Sequence, residues 1–147
     1  MRTLLISLFM AAATATYDDC GSRYHIRSYT VDPPGVVGAG QNVTTDLVFD
    51  VPQTLERGRV GIYTTWNHLM ATEVVASMCD YFDCPLTNGT RTWRYRTPFP
   101  ADVSGRIQTT VRLLSVAGES LLCLRWTAYA TGTASNETSW IVRKLYA

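Results

Sequence analysis

The run NVTTDLVFDV, from Asn42 to Val51, decides the fold. Its odd positions are Val43, Thr45, Leu47, Phe49 and Val51, and its even positions include Asn42, Asp46 and Asp50. A strand sends alternate side chains to opposite faces, so this run predicts a β-strand whose odd set meets a core and whose even set meets water. Ile107 to Leu113 repeats the pattern, with Ile107, Thr109, Val111 and Leu113 set against Arg106, Gln108, Thr110 and Arg112. Between and around these two runs no long window carries helical periodicity.

Working outward, short stretches rich in Val, Ile, Thr, Tyr and Trp are broken by Gly, Pro, Asn and Asp about every ten residues. The further strands predicted are Tyr24 to Val31, Arg59 to Trp66, Glu73 to Met78, Thr92 to Thr97 and Leu121 to Tyr129. Asp32 to Gly40 reads as a turn-rich loop, Pro98 and Pro100 end the Trp93 strand, and Ala117-Gly118-Glu119 turns a hairpin. About seven mostly antiparallel strands predict an all-β, immunoglobulin-like sandwich of two antiparallel sheets. Beyond Ala130 the composition becomes small and polar, so residues 131–147 are a C-terminal extension or, through Trp140 to Leu145, an extra edge strand.

The first 15 residues read as a secretory signal peptide: Arg2, then the apolar Leu4 to Ala13, then a small-x-small site at Ala13-Thr14-Ala15. The domain expected is residues 16–130. The chain has 13 Lys and Arg and 12 Asp and Glu; losing Arg2 with the leader balances them. Neutrality offers no electrostatic footprint for nucleic acid. Cys20, Cys79, Cys84 and Cys123 form an even set behind a leader, which reads as disulfides, with three pairings open. The sequons at Asn42, Asn88 and Asn136 are candidate glycosylation sites on a secretory route. Secretion to the extracellular space or the endolysosomal lumen is therefore expected.

No catalytic constellation is visible. His25 and His68 lack partners at a telling spacing, and there is no nucleophile elbow, paired-His zinc helix or glycine-rich phosphate loop. Asp80 and Asp83 read as groups that solvate the tight Cys79–Cys84 loop, and C-x4-C alone is poor zinc spacing. The expectation is no enzyme, no cofactor and no metal.

The segment CDYFDCPLTNG, Cys79 to Gly89, resembles the hallmark loop of the MD-2-related lipid-recognition (ML) family, which includes Niemann-Pick C2-type sterol carriers and group 2 mite allergens. Upstream, Asp19-Cys20-Gly21 resembles the family's opening element. Downstream, Trp93, Tyr95 and Pro98 precede a strand pair whose second member holds a lone cysteine, Cys123. The resemblance spans about residues 17–130. It implies the pairings Cys20–Cys123 and Cys79–Cys84, and an apolar cavity between splayed sheets. The loop Pro33 to Gly40 departs from the pattern, because many relatives carry a further disulfide there.

What the resemblance implies for function is a lipid ligand, whether sterol, fatty acid or phospholipid, held for transport or recognition. At about 0.8 kcal/mol per buried CH₂, a sixteen-carbon chain gains on the order of 10 kcal/mol before ordering costs. Candidate lining residues are Leu47, Phe49, Ile62, Trp66, Trp93, Tyr95, Phe99, Val111, Leu113, Leu122, Leu124 and Trp126; ordinary sandwich core is the competing assignment for each. Arg91, Arg94 and Arg96 read as one outward cluster, suited to a solvated strand face or to an anionic head group. The alternative function is a secreted protein-interaction module, a co-receptor in lipid-triggered innate immune signalling with a membrane or receptor protein as partner.

Overall fold

The computed structural model describes residues 17–38, 40–98 and 104–131. The leader, Phe99, Asn136 and the extension beyond Thr131 lie outside these residues. Nine strands are described: β1 (Tyr17–Asp19), β2 (Ile26–Asp32), β3 (Val36–Gly38), β4 (Asn42–Val51), β5 (Gly58–Trp66), β6 (Met70–Ser77), β7 (Gly89–Pro98), β8 (Ser104–Ser115) and β9 (Ser120–Thr131). They form a three-stranded sheet, β2-β4-β7, facing a six-stranded sheet, β1-β9-β8-β5-β6, with β3 beside β9. The architecture is the immunoglobulin-like sandwich, and it does not close into a barrel. Among the described residues no helix is long and apolar enough to cross a membrane.

The alternation that decided the fold is present residue by residue. Val43, Thr45, Leu47, Phe49 and Val51 are all buried, and the even positions of β4 are more exposed. β4 is the centre of its sheet, pairing antiparallel with both β2 and β7. On the other sheet β8 is central in the same sense, flanked by β5 and β9. Burial of one face of each central strand fixes the register, because a one-residue slip would turn every apolar side chain to water.

Three sequence expectations need correction. Asp32 to Gly40 is not loop throughout: Val36–Gly38 forms β3, parallel to β9, and Val37 is fully buried. The Pro33-Pro34-Gly35 turn masks Val37, which the core takes up, while Val36 stays exposed. Strand β2 begins at Ile26 and not at Tyr24, whose amide is already committed to the Leu121 carbonyl at 2.9 Å. Strand β6 begins at Met70, because β5 and β6 join through the three residues Asn67 to Leu69, of which Asn67 and His68 take φ of 49° and 60°. Left-handed conformation at these two residues matches the right-handed twist of the flanking strands. The three-residue strand β1, on β9, also escaped the sequence pattern.

Candidate functional site

The interior between the sheets is built from paired rows. On the large sheet, cross-strand register aligns Val60 with Leu113 and Leu122, then Ile62 with Val111 and Leu124, then Thr64 with Thr109, opposite Trp126. On the small sheet the rows are Tyr29, Leu47 and Trp93, then Val31, Thr45 and Tyr95. The buried side chains form two clusters. The larger holds Leu47, Phe49, Trp93, Tyr95, Val111, Leu113, Leu122 and Leu124, with Ile62 packed against it. The smaller holds Val31, Val37, Val43, Ile107, Trp126 and Ala128, with Trp66 packed against it. Tyr29 touches both. The candidate lining set is thus divided between two ends of one interior, and nine of its members are buried.

A polar layer crosses this interior. Thr45 and Thr109 are fully buried and Thr64 is nearly so. The Thr64 and Thr109 hydroxyls lie 3.1 Å apart, and Trp126 Nε1 donates across the gap to the Tyr95 hydroxyl at 3.2 Å. Burial pushes the Tyr29 and Tyr95 phenols well above the usual tyrosine range, so both stay protonated. The Tyr29, Thr45 and Tyr95 hydroxyls lie within hydrogen-bonding reach of one another. Both the Tyr29 hydroxyl and Thr45 Oγ1 are sealed from solvent.

The Cys79–Cys84 loop closes the larger cluster at one end. Cys79 bonds Cys84, and Cys20 bonds Cys123 across 103 residues. The short loop carries Tyr81 and Phe82 inward. Phe82 sits 5.1 Å from Trp93 and 6.1 Å from Phe49, ring centre to ring centre, and Tyr81 meets Trp93 edge-on at 5.7 Å. A cleft of about 590 Å³ opens beside this aromatic cap, lined by Tyr81, Phe82, Leu86 and Arg91 among others. Tyr81 and Phe82 lie in a turn with no strand alternation, so pattern reasoning passed over them; their place inside a short cysteine loop was the available signal. Tyr29 was hidden by a bulge between Ile26 and Ser28, which breaks the alternation of β2.

The arginines divide. Arg91 shares the inward parity of Trp93 and Tyr95, is half-buried, and binds the Thr87 and Asn88 carbonyls and the Thr87 hydroxyl. It does not join Arg94 and Arg96 outside, as the sequence had suggested. Arg94 forms a two-pronged pair with Asp46 on β4, at 2.6 and 3.0 Å, and this hydrogen-bonded guanidinium holds the Asp46 carboxyl below its usual range. Such an exposed cross-strand pair contributes mainly to register. Asn42 and Asn88 are exposed.

A profile of the ML domain matches residues 14–130. The chain belongs to the ML-domain family. No curated protein sequence matches this ML domain. Among solved structures it is similar to a Niemann-Pick type C2 protein from the Japanese carpenter ant, with a TM-score of 0.63 at 9% identity over 79% of this chain and 99% of that one. It is also similar to chicken MD-1 complexed with lipid IVa, with a TM-score of 0.52 at 12% identity over 77% of this chain and 87% of that one. At these identities the likeness is one of fold.

Proposed function

We propose that this ML domain is a non-enzymatic, secreted lipid-binding protein that holds a hydrophobic ligand between its two sheets for transport or recognition. The observation that carries the proposal is the interior itself: in a chain of this family, apolar rows on the inner faces of both sheets meet in the larger buried cluster, against which Tyr81 and Phe82 pack. The ant and chicken proteins, the second of them complexed with lipid IVa, support the same reading. Residues 16–130 are the binding unit, and Leu47, Phe49, Ile62, Trp93, Val111, Leu113, Leu122 and Leu124 are its lining. Two disulfides favour an oxidising compartment, extracellular or endolysosomal. The deciding experiment is the native lipid content of protein secreted from a eukaryotic host, extracted and identified by mass spectrometry. One lipid class at near-equimolar amount supports the proposal, and no enrichment over a matched secreted control overturns it.

A second reading, the interaction module, draws on the outer face of the large sheet. A cleft of about 520 Å³ there is lined by Tyr63, Val75, Leu114 and Arg125 among others, and Tyr63 and Val75 are exposed. Exposed apolar side chains grouped on a sheet face suit a protein partner. Loss of receptor capture on Tyr63→Ser and Val75→Asp, with lipid content unchanged, would favour it.

A further inference from the structure

The outer face of the large sheet has a hollow that the interior reading does not use. Its outward side chains follow the cross-strand register: one row runs Val75, Gly61, Arg112, and the next runs Glu73, Tyr63, Thr110, Arg125. Gly61 has no side chain, and a Cβ built there would meet nothing within 4 Å. Thr110 is short and is buried although it points away from the interior. Around these two small residues lies a hollow of about 520 Å³, a volume in the range of small-ligand sites.

The hollow is polarised. Tyr63, Val75 and Leu114 give it apolar walls, and Arg112 and Arg125 edge it on β8 and β9. The three ion pairs among the described residues use Arg23, Arg27 and Arg94, so neither Arg112 nor Arg125 is neutralised. Arg125 Nε is moreover shut from water with no hydrogen-bond partner among the described residues, and a buried donor on a cation is costly to leave unpaired. Asp18 stands opposite Arg125 on β1 without forming an ion pair. Glu73, the one carboxylate in the lining, lies at the far end of the row from Arg125.

We infer that this hollow is a ligand site distinct from the interior, and that it binds a small organic carboxylate with an apolar ring-sized body. The charges set the direction of the ligand. Its carboxylate goes to the guanidiniums of Arg112 and Arg125 and away from Glu73. Its body lies over Gly61 against Tyr63 and Val75. Val75 and Arg112 are two strands apart, about 10 Å, which is the reach of a fused ring pair bearing a carboxylate. The unmet groups, the space over Gly61 and the Arg125 Nε, lie at the bottom of the hollow, below the plane that a flat protein surface would meet. The sheet separates this site from the interior, so the inference stands or falls apart from the lipid-binding reading.

The test uses the full secreted chain, stripped of lipid, and calorimetric titration at pH 7.4 with 2-naphthoate and its neutral counterpart 2-naphthalenemethanol. Naphthoate should bind at one site, at least about tenfold more tightly than the alcohol. Gly61→Val fills the floor of the hollow and should lower naphthoate affinity at least about tenfold. Its melting temperature should hold or rise, because valine favours a strand. R112Q/R125Q should remove the preference for the carboxylate. Because that pair alters only outward side chains, it decides the question alone if Gly61→Val destabilises the fold. Equal affinity for the two probes overturns the inference. So does naphthoate binding that both variants leave unchanged, which would put the probe between the sheets. No binding at millimolar naphthoate overturns it too, and leaves the lipid-binding reading untouched.

Discussion

At the scale of single residues, the most constrained position is Gly105. Its φ is +105°, and a Cβ built there would stand 2.2 Å from Asn67 Oδ1 and 2.7 Å from Asn67 Cγ. The asparagine cannot swing aside freely. Its Oδ1 accepts from the Arg106 amide at 2.7 Å, its Nδ2 donates to the Ser104 carbonyl at 3.2 Å, and its own amide donates to the Arg106 carbonyl at 2.8 Å. Gly105→Ala combines left-handed strain with a clash against a committed side chain, and should cost about 2–4 kcal/mol, read as a lower melting temperature. Gly61→Ala is the control: a Cβ there meets nothing within 4 Å, so stability should hold or rise slightly. A second residue-scale prediction concerns pH. Partial burial raises the Asp19 pKa, but hydrogen bonds from the Ser22 and Gly21 amides, at 2.7 and 3.0 Å, more than reverse this and leave it below its ordinary 3.8. A carboxylate with a lowered folded-state pKa contributes stability that is present above its unfolded value and lost as pH falls through the folded one. Asp19→Asn should therefore lower the urea midpoint at pH 7, and the gap to the parent should narrow steadily below pH 4. A gap independent of pH would show that the carboxylate charge contributes nothing.

At the scale of elements, what could be read in the chain depended on whether a strand carries its own alternation. β4 could be read to the residue, whereas β8 was legible from Ile107 to Leu113 but runs from Ser104 to Ser115 and buries Thr110 on its other face as well. β1 and β3, three residues each, are too short for any periodicity and exist because β9 offers them a ladder. Context also decided the 3-10 turn Met78–Asp80, where Ser77 Oγ accepts from the Cys79 amide. The candidate site was legible in the same partial way: apolar positions on β4, β7, β8 and β9 announced themselves, whereas Tyr29 sits past a bulge and Tyr81 and Phe82 sit in a turn. The disulfides offer an element-scale prediction. In the chain-entropy model, closing the long Cys20–Cys123 loop stabilises by about 5 kcal/mol and closing the short Cys79–Cys84 loop by about 2 kcal/mol. Denaturation of C20S/C123S and C79S/C84S should show the first pair losing roughly twice as much. The reverse order would mean that the short bridge acts chiefly by holding Tyr81 and Phe82 against Trp93 and Phe49.

At the scale of the whole molecule, the two sheets are unequal, and the smaller lies over the larger with its own tryptophan inside. Trp93 belongs to the small sheet and the larger cluster, while Trp126 belongs to the large sheet and the smaller cluster. Trp66 is half-buried at the margin of the smaller cluster. A ligand whose hydrocarbon occupies the larger cluster must displace side chains that now pack there, so its binding energy has to exceed the contacts it replaces. Binding only to the folded state then raises thermal stability with ligand concentration, by about 2.7 kcal/mol at a hundred times Kd. The position of the chain is a sharper question, and the tryptophans answer it. A dodecanol brominated near its tail end quenches indole emission at short range. In a background carrying W140F, which removes the tryptophan outside the described residues, Trp93→Phe should abolish most of the bromine quenching. Trp66→Phe should leave it nearly intact. If Trp66→Phe removes the greater share instead, the hydrocarbon lies toward Ile107 and Ala128, and the larger cluster is not the site even though a lipid is bound.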